Sequence, residues 1–168
     1  MKKINSRPNI IDIEASGFGH DSYPIEVGVV LSSGKRYSRL IKPFSDWRHW
    51  CEKAEAVHGI ERQALLEYGT DPQVVARGLN NLLAGTTVYS DCWGVDKPWL
   101  ETLFYRCGLP MNFFISPIES ILAEPQMQYW QTTMEEARKA LKLGRHRASM
   151  DALVIQETFA NTLQLVQR

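Results

Sequence analysis

Apolar and polar positions alternate near the start of the chain and then change period. Asn9 to Glu14 (NIIDIE) puts Ile11 and Ile13 on one side of an extended strand and Asp12 and Glu14 on the other, because successive strand side chains point to opposite faces. Pro24 to Ser32 and Arg36 to Ile41 carry two more strand patterns joined by Ser33, Gly34 and Lys35, which predicts an antiparallel meander. Ser45 to Gly59 reads as partly helical, and Pro72 to Leu83 as a clearer helix capped by Thr70 or Asp71 and stopped by Gly85. Thr86 to Asp91 predicts a buried strand. Pro98 to Cys107 sets Trp99, Leu103 and Phe104 on one helical face before Gly108 and Pro110, and Phe113 to Ser116 is a short apolar strand. Further helices are expected near Ile118 to Ala123, at Thr133 to Leu143 and from Ser149 to about Val166. No repeat, low-complexity tract or linker interrupts the series. The expected architecture is one α/β domain over residues 1–168, a five-stranded mixed sheet flanked by helices.

Composition narrows the function classes. The 168 residues, 44% hydrophobic and 23% charged, suffice for a buried core. Nineteen basic residues against nineteen acidic give a formal net charge of zero, so nucleic acid would be held locally, at a strand end for example, and not coated by bulk charge. Cys51, Cys92 and Cys107 form no CxxC and no zinc spacing; an odd count without a signal-peptide pattern predicts reduced thiols and a cytoplasmic setting. Met1 to Pro8 leads into no apolar run long enough for export, and no window approaches a membrane span, so a soluble protein is expected.

Four residues carry the chemistry. Asp12 and Glu14, with His146 and Asp151 far downstream in GRHRASMDA, outline a metal-dependent nuclease site. Two carboxylates on one exposed strand edge, about 6–7 Å apart, suit a hard cation. Water-activated phosphodiester cleavage needs such cations on Asp or Glu oxygens and a base that titrates near neutrality, which a loop histidine provides. A lone DxE is commonly just a solvated edge, and Asp151 could simply favour the first turn of a helix capped by Ser149. An acid fixed there also faces whatever the preceding loop faces, so His146 and Asp151 can flank one metal.

Taken in order, the motifs resemble those of the DEDDh superfamily of 3'-5' exonucleases, which includes the proofreading subunit of bacterial DNA polymerase III, ribonuclease T and oligoribonuclease. Asp12 to Gly17 (DIEASG) is similar to the first motif, Ile25 to Gly28 (IEVG) to the second strand, Val57 to Ile60 (VHGI) to a recurrent loop, and His146 with Asp151 to the final H-x4-D. Arg147 stands where the tyrosine class places its tyrosine, which favours the histidine class. The family's third Asp follows the fourth strand, and both Asp91 and Asp96 are available. Asp96 is preferred, as an N-cap before Lys97 and Pro98, with Asp91 left as an outer partner; Cys92 replaces the usual Asn four residues earlier.

The resemblance implies a ribonuclease H-like fold and a two-metal hydrolase. Asp12, Glu14, Asp96 and Asp151 would hold two Mg2+ or Mn2+ ions, His146 would act as general base, and nucleoside 5'-monophosphates would leave the 3' end of single-stranded DNA or short RNA. Ser16 and Gly17 of the first motif and Phe18 just after it, with His58 and Ile60, would contact the terminal nucleotide. Arg138, Lys139, Lys142, Arg145 and Arg147 form a basic stretch suited to backbone phosphates or to a solvated face. Trp47 and Trp50 could stack bases, with core packing the safer reading. Single-stranded nucleic-acid ends are the expected partner, with no membrane; a homodimer is left open. Because the chain ends at Arg168 without the long tail of the polymerase III subunit, free-standing action is preferred. Behind it stand a polymerase-bound proofreading module, an inactive nucleic-acid-binding domain and an endonuclease of the same fold.

Overall fold

Among the described residues five strands form one sheet in the order β3-β2-β1-β4-β5: β1 Ile10–Ala15, β2 Pro24–Val30, β3 Arg36–Leu40, β4 Thr87–Ser90 and β5 Phe114–Pro117. The first three make the antiparallel meander expected of their pattern, while β4 and β5 run parallel to β1, giving the mixed sheet. The computed structural model describes residues 7–142 and 146–167. The far end of the helix expected to reach Leu143, and Arg145 of the basic stretch, lie outside the described residues.

Among the described residues six helices accompany the sheet: α1 Glu52–His58, α2 Arg62–Tyr68, α3 Pro72–Leu83, α4 Trp93–Cys107, α5 Glu124–Ala140 and α6 Ala148–Val166. α3 matches its expected span, and Asp71, not Thr70, caps it through Gln73 N–H at 2.7 Å. α2 has no counterpart among the expectations, because it is seven residues long and buries only Leu65, too little for a periodic signal. Ile118–Ile121 is a single 3-10 turn where a helix was expected. α5 begins nine residues before the expected Thr133: its N-cap is Ala123, which offers no side-chain acceptor, and Gln126 reaches back to the Ala123 N–H at 3.1 Å instead. α6 begins at Ala148 with Arg147 as N-cap, so Ser149 is inside the helix and does not cap it.

The two sheet faces divide the core. Ile11, Ile13, Val27 and Val29 pack with Val75 and Leu79 of α3 and Leu100, Leu103 and Phe104 of α4. Ile10 and Val30 face the other way, onto Ala152, Ile155 and Phe159 of α6. Strand alternation therefore turns Asp12 and Glu14, with Glu26 and Gly28 of β2, toward the α6 side. Trp47 belongs to the core, stacked on Tyr23 at 4.9 Å, and Trp50 packs at its margin. No helix among the described residues is long and apolar enough to cross a membrane.

Candidate active site

β1 is the central strand, and this corrects the expectation of an exposed strand edge: Asp12 and Glu14 stand on a sheet face partly covered by α6. What lets α6 come so close is Gly28, opposite Asp12 in the β1–β2 ladder, where a Cβ would lie 2.1 Å from Ser149 N and 2.2 Å from Ala148 C. The first turn of α6 then carries Asp151 down to the strand. His146 precedes that turn, its Nδ1 3.2 Å from Asp151 Oδ2, while Arg138 of α5 approaches Oδ1 at 2.7 Å. Ligand atoms of Glu14, His146 and Asp151 all lie within 4.8 Å of one another.

Asp96 enters from the opposite side. It was expected as the N-cap of a helix starting near Pro98, but α4 starts five residues earlier, with Val95 N–H and Asp96 N–H both bonded to the Cys92 carbonyl. Pro98 falls inside the helix, where it has no N–H to give the carbonyl of Gly94 four residues earlier. Asp96 is consequently in the first turn, 1% exposed, its Oδ2 accepting from Ser90 Oγ at the end of β4 at 2.5 Å. Together with Asp12, Glu14, Asp91, His146 and Asp151 it lines a cleft of about 420 Å³.

So many carboxylates in little water disfavour their own ionisation. Burial, with Asp96, Glu14, Asp151 and Asp91 nearby, holds the Asp12 carboxyl well above the usual range. Burial and Asp151 push Glu14 up to about 8, and burial pushes Asp96 up to about 7 against the bond from Ser90. Burial raises Asp91 as well. Burial and the surrounding acids raise the Cys92 thiol to about 11, which makes it a poor nucleophile.

The other anticipated residues are divided. Phe18, 70% exposed, lines the cleft, and a small recess beside it of about 70 Å³ is shared by Glu14, Gly17, Phe18, His58 and Trp99. Ser16 and Ile60 do not reach either: the Ser16 hydroxyl accepts from Tyr23 N–H at 3.1 Å and meets His49 Nδ1 at 3.2 Å, and Ile60, 5% exposed, is in the core. Ile60 N–H donates to His58 Nδ1 at 3.0 Å and so fixes the ring of His58, which lines the recess. The basic stretch is less available than expected. Arg138 is paired with Asp151 and Arg147 with Glu26; Lys139 and Lys142 are exposed.

Comparison with known proteins bears on the fold. No family model and no curated protein matches this sequence. Solved structures of exonuclease I do resemble it in three dimensions. The Escherichia coli enzyme in complex with a dA16 oligonucleotide superposes with a TM-score of 0.70 at 15% identity, covering 94% of this chain and 40% of that one. Exonuclease I from Methylocaldum szegediense gives 0.71 at 14% identity, over 95% of this chain and 40% of that one. A product-bound exonuclease I gives 0.66 at 15%, over 95% and 44%. The fold is ribonuclease H-like. This chain spans about two fifths of the length of those proteins.

Within that ribonuclease H-like frame, the donor set fits a hard divalent cation. Asp12, Glu14, Asp96 and Asp151 supply only oxygens. Among the described residues, neither buried Asp151 oxygen has a well-aligned hydrogen bond despite the nearby Arg138 and His146, leaving lone pairs that a cation would satisfy. Sequence reasoning missed Trp99 and Val95 in the cleft wall and the bond from Arg147 to Glu26; the first two read as ordinary helix positions, and a pair 121 residues apart leaves no local signal.

Proposed function

We propose that the chain is a single 3'-5' exonuclease domain of the DEDDh type, hydrolysing single-stranded DNA or short RNA from the 3' end with Mg2+ or Mn2+. The convergence of Asp12, Glu14, Asp96, Asp151 and His146 from β1, α4, α6 and the segment before α6 on one cleft carries the reading. The likeness to exonuclease I structures determined with oligonucleotides supports it.

Asp12, Glu14 and Asp151 would hold the metal beside the attacking water, and Asp96 would serve the leaving-group side. The bound metals would lower the water's pKa and neutralise charge on the phosphate. His146, half exposed with its Nδ1 3.2 Å from Asp151 Oδ2, takes the water's proton. Phe18 offers an apolar face to the terminal nucleotide, with the Gly17–His58 recess beneath it. The penultimate 3'-oxygen departs, so each turnover frees a nucleoside 5'-monophosphate.

Oligomers of DNA and RNA, labelled at the 5' or the 3' end and incubated with Mg2+, test this directly. Expected is a 5'-labelled ladder that shortens stepwise from a free 3'-hydroxyl, blocked by a 3'-phosphate. Efficient cutting of a circular single strand would replace the exonuclease with an endonuclease.

A further inference from the structure

We propose that Glu26 is a positioning residue for the cleft: with Arg147 it clamps β2 to the start of α6 and so holds His146 and Asp151 against Glu14. The proposal rests on the metal-dependent reading of that cleft. Glu26 is 1% exposed and sits directly opposite Glu14 in the β1–β2 ladder, on the same face. Its carboxylate is fully engaged. Arg147 Nε donates to both oxygens at 3.1 Å, an Arg147 terminal nitrogen donates to Oε1 at 2.7 Å, and Ala148 N–H donates to Oε2 at 3.0 Å. A buried carboxylate held by a forked guanidinium and a helix N-terminal N–H has essentially one geometry.

Arg147 transmits that geometry in two directions. It is bonded through the chain to His146, and its carbonyl accepts from Met150 N–H at 2.8 Å and Asp151 N–H at 2.9 Å as the N-cap of α6. Displacing its guanidinium therefore moves the base and a metal ligand together. Gly28, two residues along the same face of β2, supplies the space in which α6 is clamped. Arg147 gives Nε and one terminal nitrogen to Glu26, and kinetics separate clamping from phosphate contact: a phosphate contact sets KM, a positioning residue sets metal affinity and kcat.

The test compares Glu26→Gln, Arg147→Lys and their double variant with Glu157→Gln, which removes a different ion pair on α6, that with Arg7, far from the cleft. Three readings are taken: the His146 side-chain NMR resonances of metal-free protein, Mn2+ affinity by calorimetry, and steady-state kinetics on a single-stranded oligonucleotide. Either single variant should move the His146 resonances toward the position of a free imidazole. Each should weaken Mn2+ binding about 10- to 100-fold and lower kcat with KM nearly constant. The double variant should be no worse than the worse single, and Glu157→Gln should match wild type in Mn2+ affinity. Arg147→Lys keeps a charge for Glu26 and serves if Glu26→Gln does not fold. Unchanged His146 resonances in a folded variant, or a raised KM with kcat intact, would overturn the clamp. Absence of Mn2+ binding by wild type would instead overturn the metal reading, with the resonances still deciding the clamp.

Discussion

Gly28 lies directly across the β1–β2 ladder from Asp12, and a Cβ on it would lie 2.1 Å from the backbone nitrogen of Ser149. The opposing atoms are helix backbone and cannot rotate away as a side chain could. Gly28→Ala should lift the start of α6, costing about 1–3 kcal/mol or more of stability, and should weaken Mn2+ binding because Asp151 and His146 move with the helix. Calorimetric unfolding and metal titration check both effects; wild-type values for the two would show that α6 is not seated as described.

The metal-free protein should lose stability as pH rises. Glu14 at about 8 and Asp96 at about 7, against roughly 4 in an unfolded chain, mean that the folded state binds more protons than the unfolded state between about pH 4 and 8. Stability therefore falls with pH across that window: the contribution is fully present below about pH 4 and gone above about pH 8. In EDTA the Tm should drop by several degrees between the acid and alkaline ends, and Mn2+ should restore more of it at the alkaline end. A Tm flat with pH without metal would contradict the crowding of carboxylates.

Activity and stability should separate at Asp12. With its carboxyl held well above the usual range by burial and by four neighbouring acids, Asp12→Asn removes repulsion that the metal-free fold tolerates. The variant should be at least as stable as wild type in EDTA at neutral pH and should show no measurable turnover with Mg2+. Retained turnover would mean that Asp12 is not a metal ligand.

Two acids at the β4–α4 junction should differ sharply. Asp96 is buried and fixed by Ser90, whereas Asp91 lines the wall of the same cleft. If Asp96 is the ligand, Asp96→Asn should lower kcat by orders of magnitude through charge stabilisation of several kcal/mol lost at the leaving oxygen. Asp91→Asn should cost far less. The reverse order in steady-state kinetics would transfer the ligand role to Asp91.

His146→Ala should leave Mg2+ dependence and oligonucleotide binding in place while reducing turnover about 10²- to 10⁴-fold, the usual range for losing a general base. Comparing kcat with Kd for a 3'-ended oligomer separates these. Near-normal turnover would remove His146 from the proton transfer.

Much of this was legible in the sequence because it is local or ordered along the chain. Strand alternation put Asp12 and Glu14 on one face, the meander followed from three strand patterns and a Gly34 turn, α3 announced itself by Asp71, Pro72 and its apolar period, and DxE, the Asp after the fourth strand and H-x4-D pointed to five residues that meet in the cleft. What the sequence could not show depends on distance in space. Neither Cys92 before α4 nor Ala123 before α5 caps its helix with its own side chain, so neither start is marked by an N-cap residue in the sequence. That β1 is central, with its acids facing α6, follows from strand order. The bond between Glu26 and Arg147 arises only because the sheet brings residues 121 positions apart within 2.7 Å, and the proton affinities of Glu14 and Asp96 exist only once folding has excluded water from between like charges.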